Sequence, residues 1–287
     1  MDRTGAQRVV RRIEELPTLP AVIARILEVL EDEGSSSRDL ERVVSFDQSI
    51  SAKVLRIANS AYYGFPREIT TIHRAIVLLG FQAVKGLALG CSIFETFFRQ
   101  GGVSYFDRTA YWLHSIACSS CARLLGKRLE GLDPEGTSLA GLIHDIGMVL
   151  MDHVMHETYS RVLERVIRQG GRLAEVEREV WGFDHAEVGA WLGEQWKFPA
   201  PLVEAIRFHH GIPGGGRSWT RLPAAIHLAD FCSNEAGLSV TGGHDSAELI
   251  TDALAATGLG RDDLAELTAG IRSEREGIEA FFAALSA

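Results

Sequence analysis

Histidine and aspartate residues that could bind metal ions recur through the second half of this 287-residue sequence. The candidates are His114, His144, Asp145, His185, His209, His210 and Asp230. Imidazole and carboxylate groups together suit first-row transition metals such as Fe, Mn, Ni or Zn better than Ca²⁺. The residue types therefore predict a site for one or two divalent transition metal ions.

The neighbours of these residues predict that they are buried on helices. His114 shares a helical stripe with Cys118 and Cys121, at spacings of four and three, and Asp230 stands one turn after Ile226. An unpaired buried carboxylate is destabilising, and a bound cation removes that cost. His185 is expected in the first turn of its helix, where the positive end of the helix dipole disfavours protonation. A neutral ring is the form that coordinates a metal.

Each histidine also has a simpler interpretation when it is taken alone. A single buried histidine is more often a hydrogen-bonded core residue than a ligand, so the metal site requires the fold to bring the seven residues together. The pair Cys118 and Cys121 lacks a second cysteine pair and follows helical spacing. Core thiols are therefore favoured there over a zinc site.

The elements that must position these residues are predicted to be helices throughout. Apolar residues recur at helical spacing in five segments of the first hundred residues, with helix starts at Thr18, Ser36, Asp47 and Thr71 and about Phe81. No stretch alternates strictly enough to predict a strand. We expect an all-α protein with a five-helix lobe over residues 12–100, a helical core over 101–235 and a helical extension over 236–287.

Composition excludes several classes of protein. The chain has 38 acidic against 29 basic residues and a net charge of -9, which disfavours binding to nucleic acid or to a membrane surface. No apolar run approaches the ~20 residues of a membrane span, and the first residues lack the apolar segment of a signal peptide. Four scattered cysteines fit a reducing compartment. These features predict a cytoplasmic protein.

Several segments resemble the HDOD domain, the HD-related output domain of bacterial signalling proteins. The doublet His144-Asp145 is similar to the signature of the HD superfamily of metal-dependent phosphohydrolases, and the resemblance to HDOD covers about residues 15 to 235. The matching segments are Leu16–Pro20, Ala52–Ala61, Tyr63–Gly64, Ala75–Gly80, Trp112–Ser115, Ser138–Gly147, Asp184–Gly189 and Ile206–His210. The resemblance implies an all-α fold, with an N-terminal helical lobe packed on an HD-like helical core.

Similarity to the HD-GYP phosphodiesterases, a related family, implies how the candidate ligands divide. One metal would be held by His114, His144, Asp145 and Asp230, and Asp145 would bridge to a second metal held by His185, His209 and His210. HD-GYP enzymes carry a lysine three residues after the aspartate, and this chain has Met148 there. It also lacks their Gly-Tyr-Pro element, and Ala110 offers no carboxylate for a third metal.

HDOD domains are viewed as regulatory modules, so the resemblance implies a non-catalytic signal-transduction module that acts on another signalling protein. A homodimer is an open alternative. The competing hypothesis is a metal-dependent phosphohydrolase acting on a nucleotide or a cyclic dinucleotide. A thioether at position 148 cannot donate a hydrogen bond to a phosphate or neutralise its charge, which favours the regulatory interpretation.

Overall fold

The computed structural model describes residues 21–32, 34–97, 105–211, 219–243 and 249–287. All regular structure within these residues is helical, which confirms the predicted all-α fold. No helix in the described part of the chain is long and apolar enough to cross a membrane. The predicted start at Thr18 and the segment Leu16–Pro20 lie outside the described residues.

The chain forms two compact units, and the first of them is discontinuous in sequence. We call it the N-terminal unit, which comprises residues 17–99 and 273–287. Its helices are α1 (Ala21–Glu31), α2 (Ser37–Phe46), α3 (Gln48–Ala58), α4 (Ile72–Leu79), α5 (Phe81–Phe97) and, from the end of the chain, α15 (Arg275–Ser286).

The predicted helix starts in this unit are confirmed by their caps. The Ser36 side chain accepts a hydrogen bond from the backbone of Asp39, and the Asp39 carboxylate accepts one in return from the backbone of Ser36. Asp47 caps α3 and Thr71 caps α4, each by accepting from backbone nitrogens of the first turn at a side-chain oxygen, without the reciprocal hydrogen bond. The local chemistry of four residues therefore sets where three helices begin.

Asn59, which lies directly after α3, holds the loop that leads to α4. Its amide nitrogen donates to the carbonyls of Leu55 and Ile69, each at 2.8 Å, and its oxygen accepts from the backbone nitrogen of Ile69 at 2.7 Å. The residue thus ties both polar backbone groups of Ile69, whose side chain is buried, to the end of α3.

Replacing Asn59 with alanine is expected to lower the free energy of unfolding by about 2 kcal/mol, because three hydrogen bonds are lost at once. Asn59→Asp keeps the acceptor for the Ile69 nitrogen but places a carboxylate oxygen opposite the carbonyl oxygens of Leu55 and Ile69, so it should be destabilising as well. Urea denaturation of the two variants and the wild type measures the difference. Equal stability of Asn59→Ala and the wild type would contradict this role.

The C-terminal helix α15 is bound to α3 by two cationic side chains. The buried Lys53 donates to the carbonyl oxygen of Leu285 at 2.7 Å and pairs with Glu95 at 3.2 Å. Arg56 donates to the carbonyl oxygen of Ala284 at 3.3 Å. Cations at the last carbonyls of a helix satisfy groups that have no partner within the helix and complement its dipole.

The second unit, which we call the core unit, is described over residues 105–211, 219–243 and 249–272. Residues 236–287, predicted as one extension, are therefore divided between the two units. The helices of the core unit are α6 (Arg108–Arg128), α7 (Pro134–Ile143), α8 (Ile146–Gln169), α9 (Leu173–Trp181), α10 (His185–Gln195), α11 (Ala200–Phe208), α12 (Arg221–Glu235), α13 (Thr251–Thr257) and α14 (Arg261–Ser273).

Glycines allow close helix crossings in the core unit. A Cβ atom on Gly141 would lie 2.8 Å from the carbonyl oxygen of Cys118. The backbones of α7 and α6 therefore lie close together at this glycine. A Cβ atom on Gly147 would overlap the carbonyl oxygen of His185 and lie 2.7 Å from the backbone nitrogen of Gly189, which is on α10. The packing density of a protein interior leaves no room for such an atom. These crossings bring the starts of α8 and α10 together.

Candidate metal centre

The seven predicted ligand residues come together in the core unit. His114 is on α6 and Asp230 is on α12, whereas His144 and Asp145 occupy the break between α7 and α8. His185 is the first residue of α10, and the pair at 209–210 directly follows α11. Six of the seven side chains are buried and His210 is half-buried. Helix ends thus supply most of the site.

Asp145 lies at the centre of this group and faces histidines on both sides. Its Oδ1 atom is 3.2 Å from Nε2 of His209 and 3.3 Å from Nε2 of His185. Its Oδ2 atom is 3.3 Å from Nε2 of His144 and 3.7 Å from Nε2 of His114. Each oxygen of this one carboxylate therefore faces a different pair of imidazoles.

The outer residues complete two half-sites. Asp230 Oδ1 lies 3.2 Å from Nε2 of His114, and Nε2 of His210 lies 2.7 Å from Nε2 of His185. We call His114, His144, Asp145 and Asp230 the first half-site, and Asp145, His185, His209 and His210 the second half-site. The four ligand atoms of the second half-site all lie within 4.8 Å of one another, as do those of His114, His144 and Asp145 in the first.

The hydrogen bonds of the outer ring nitrogens indicate which nitrogen is free to coordinate. In three of the histidines Nδ1 lies within hydrogen-bond distance of a backbone carbonyl oxygen. The distances are 2.7 Å from His114 to Leu238, 2.8 Å from His144 to Gly141 and 2.7 Å from His209 to Ile206. A carbonyl oxygen only accepts, so each Nδ1 carries the hydrogen. In the neutral ring Nε2 then presents a lone pair, and in all three residues Nε2 is the atom that faces the carboxylates.

Unpaired buried atoms show that this group of residues fits a cation. The Nε2 atoms of His144 and His209 and the Oδ1 atom of Asp145 have no hydrogen-bond partner, although all three are buried. Buried polar atoms are almost always paired, so three unpaired acceptors in one region of the core lower the stability of the fold. A metal ion in each half-site would satisfy these atoms, because nitrogen and oxygen lone pairs are ligands of divalent transition metals.

Electrostatics keep the central carboxylate charged. Burial alone would raise the pKa of Asp145, but His144 and the neighbouring His185 and His209 hold that pKa well below its usual value. Burial alone would lower the pKa of His144. The nearby carboxylate of Asp145 has the larger, opposite effect, so the pKa of His144 lies well above its usual value. The pKa of His210 lies well below its usual value because of burial and the neighbouring histidines.

The sequence did not indicate Glu177, which contacts the site through His185. Glu177 is on α9, fully buried, and its Oε2 atom lies 2.6 Å from Nδ1 of His185. The signal available in the sequence was a glutamate directly after Val176 on the apolar face of an amphipathic helix. One acidic residue at the edge of such a face has many explanations, so the pattern alone does not single it out.

His227 and the cysteines lie beside the site without joining it. Nδ1 of His227 donates to the carbonyl oxygen of His209 at 2.8 Å, and its Nε2 accepts from the backbone of Ile250 at 3.1 Å. Both ring nitrogens of His227 therefore have partners, and the ring connects the segment that carries His209 to the one that carries Ile250. Cys118 and Cys121 are buried and form no disulfide, and burial raises the pKa of the Cys118 thiol.

A match to a known family model identifies the family of this chain. Residues 16–212, about two thirds of the chain, match the family model of the HDOD domain. The chain belongs to the HDOD domain family. Its HDOD domain thus includes six of the seven predicted ligand residues, and Asp230 lies beyond the matched segment.

Solved structures have the same fold as this HDOD chain. A protein from Shewanella amazonensis SB2B, whose name assigns it provisionally to the phosphohydrolases, is 26% identical with a TM-score of 0.73, over 96% of this chain and 97% of its own. A protein from Marinobacter aquaeolei VT8, named provisionally as a signal transduction protein, is 22% identical with a TM-score of 0.82, over 100% of this chain and 66% of its own.

A curated relative of this HDOD chain is an uncharacterized protein of Treponema pallidum (strain Nichols). It is 22% identical over 227 residues, which make up 79% of this chain and 44% of that protein. The chain therefore spans less than half the length of this curated relative.

Proposed function

We propose that this chain is a regulatory signal-transduction module whose core unit binds one or two divalent transition metal ions, Fe, Mn, Ni or Zn. In this proposal the module acts on another signalling protein and does not turn over a substrate. The metal-binding part is supported by the unpaired Nε2 atoms of His144 and His209, which converge with Oδ1 of Asp145 in the core. Metal ions there would stabilise the core unit by binding only its folded form.

The regulatory part of the proposal depends on one observation, the side chain at position 148. Met148 is the third residue after Asp145, where HD-GYP enzymes have a lysine, and it is 2% exposed. A buried thioether provides no charge and no hydrogen-bond donor for a phosphate. The ligand residues are thus present in a site whose phosphate-binding cation is replaced by an apolar group.

A second candidate function, metal-dependent phosphohydrolase, is favoured by a different observation. Each half-site groups imidazoles with a carboxylate, and the central Asp145 carboxylate faces imidazoles on both sides. Two metal ions held by these residues would supply an activated water and stabilise charge in phosphodiester hydrolysis. The Shewanella amazonensis protein with a provisional phosphohydrolase name, at 26% identity, supports the same candidate.

A hydrolysis screen separates the two candidates. Purified protein loaded with Mn²⁺ or Fe²⁺ is incubated with phosphomonoesters, nucleotides and cyclic dinucleotides, and the products are measured beside an Asp145→Ala control. We expect no hydrolysis above that control. Turnover that is lost in Asp145→Ala would overturn the regulatory proposal and establish the phosphohydrolase.

A further inference from the structure

Glu177 is a buried carboxylate whose position needs an explanation. Its side chain is fully buried on α9, outside both half-sites, and an ionised carboxylate in such a place is destabilising unless it is paired. Its Oε2 atom accepts two hydrogen bonds from one residue, from the backbone nitrogen of His185 at 2.8 Å and from Nδ1 of the same residue at 2.6 Å.

The start of α10 does not depend on Glu177 alone. Asp184 is the cap residue of that helix, and its Oδ1 atom accepts from the backbone nitrogen of Glu187 at 2.9 Å. Asp184 is also paired with Arg178, the residue next to Glu177 on α9. The Asp184 cap therefore stabilises the start of α10, and the contact of Glu177 with the imidazole ring is a separate interaction.

The ring contact determines which nitrogen of His185 can coordinate. An ionised carboxylate has only lone pairs, so Nδ1 of His185 must carry the hydrogen that lies between them. The lone pair of the neutral ring is then on Nε2, which lies 3.3 Å from Oδ1 of Asp145 and 2.7 Å from Nε2 of His210. The orientation that Glu177 imposes is the one that the second half-site requires.

The charge of Glu177 distinguishes His185 from the three histidines held by carbonyl oxygens. His114, His144 and His209 donate to neutral backbone groups, whereas His185 donates to a carboxylate. Charge-assisted hydrogen bonds are stronger than neutral ones, and a carboxylate behind a ligand histidine raises the basicity of the coordinating nitrogen.

We propose that Glu177 is a positioning residue that fixes the tautomer of His185 and strengthens its Nε2 atom as a ligand of the second half-site. This inference rests on the proposed metal-binding function. It adds a carboxylate–histidine–metal arrangement to the second half-site, whereas the histidines of the first half-site are oriented by neutral carbonyl oxygens.

Glu177→Gln is the variant that tests this role, because it preserves shape and removes the charge. We expect the affinity of the second half-site for Zn²⁺ to fall about 10- to 100-fold, the range seen when such partners are removed, with the first half-site unchanged. Bound Zn²⁺ is measured by elemental analysis after dialysis against a graded series of chelator concentrations. The control is Glu175→Gln, which makes the same charge change on the same helix at an exposed residue paired with Arg172 and should bind as the wild type does.

A second measurement needs no metal and separates positioning from a purely structural role. Two-dimensional ¹⁵N NMR of the metal-free protein reports the tautomer of His185, which we expect to carry its hydrogen on Nδ1 in the wild type and to shift toward Nε2 in Glu177→Gln. Unchanged tautomer together with unchanged Zn²⁺ binding in Glu177→Gln overturns the inference alone. A wild-type protein that binds no Zn²⁺ overturns the proposed metal-binding function and this role with it.

Discussion

Replacing Asp145 with alanine is expected to remove bound metal from both half-sites at once. Its two oxygens are the atoms that face both groups of histidines, Oδ1 toward His185 and His209 and Oδ2 toward His114 and His144. Without this carboxylate each half-site loses its central ligand. The second half-site then keeps only imidazoles and the first keeps Asp230 as its remaining carboxylate, so less negative charge is left to favour a cation. Elemental analysis of protein purified from metal-supplemented medium measures the loss.

Asp230→Ala is the matched comparison for this prediction. Asp230 contacts the first half-site only, through His114 at 3.2 Å, so its removal should weaken one half-site and leave the second loaded. Circular dichroism checks that both variants remain helical. An Asp145→Ala protein that retains as much metal as Asp230→Ala would show that the carboxylate does not bridge.

Replacing Gly147 with alanine is expected to destabilise the core unit by about 3 kcal/mol and to weaken the second half-site. The added Cβ atom would overlap the carbonyl oxygen of His185 and press on Gly189, so α10 must move away from α8. Overpacked interiors typically cost about 1–3 kcal/mol, and a clash with backbone lies at the upper end because no side chain can rotate away. His185 moves with its helix, and its Nε2 atom then leaves Asp145.

Gly270→Ala provides the control, because a Cβ atom there meets nothing within 4 Å on helix α14. Alanine is favoured over glycine within a helix by about 1 kcal/mol, so this variant should be as stable as the wild type or slightly more stable. Thermal unfolding and Zn²⁺ titration of the two variants test the prediction. If Gly147→Ala unfolds at the wild-type temperature with unchanged metal binding, the close crossing does not position His185.

The residues that the fold brings together could be selected from the sequence because residue type and helical position are local properties. His114, His144 and Asp145 could be selected from their chemistry and their apolar neighbours, and the caps at Ser36, Asp47 and Thr71 follow from hydrogen bonds within one turn. The fold class followed from the same periodicity.

The remaining features depend on contacts between residues that are distant along the chain. Nothing near Glu177 in the sequence reveals that its carboxylate meets the ring of His185, since that contact follows from the turn between α9 and α10. Gly147 similarly resembles any helix glycine until α10 is placed against it. The return of α15 to α3 joins residues that are 232 positions apart in the case of Lys53 and Leu285, a separation that helical periodicity cannot predict.

The return of α15 to the N-terminal unit has a consequence for how such proteins can exchange parts during evolution. In the part of the chain that the structure describes, residues 17–99 carry five helices of that unit, and the sixth follows the helices of the core unit in sequence. Recombination that transfers only the first segment would leave the buried Lys53 without the Leu285 carbonyl and Tyr62 without the ring of Phe281. Inheritance of the two segments is therefore coupled, and gene fusion is expected to preserve residues 17–287 as one block.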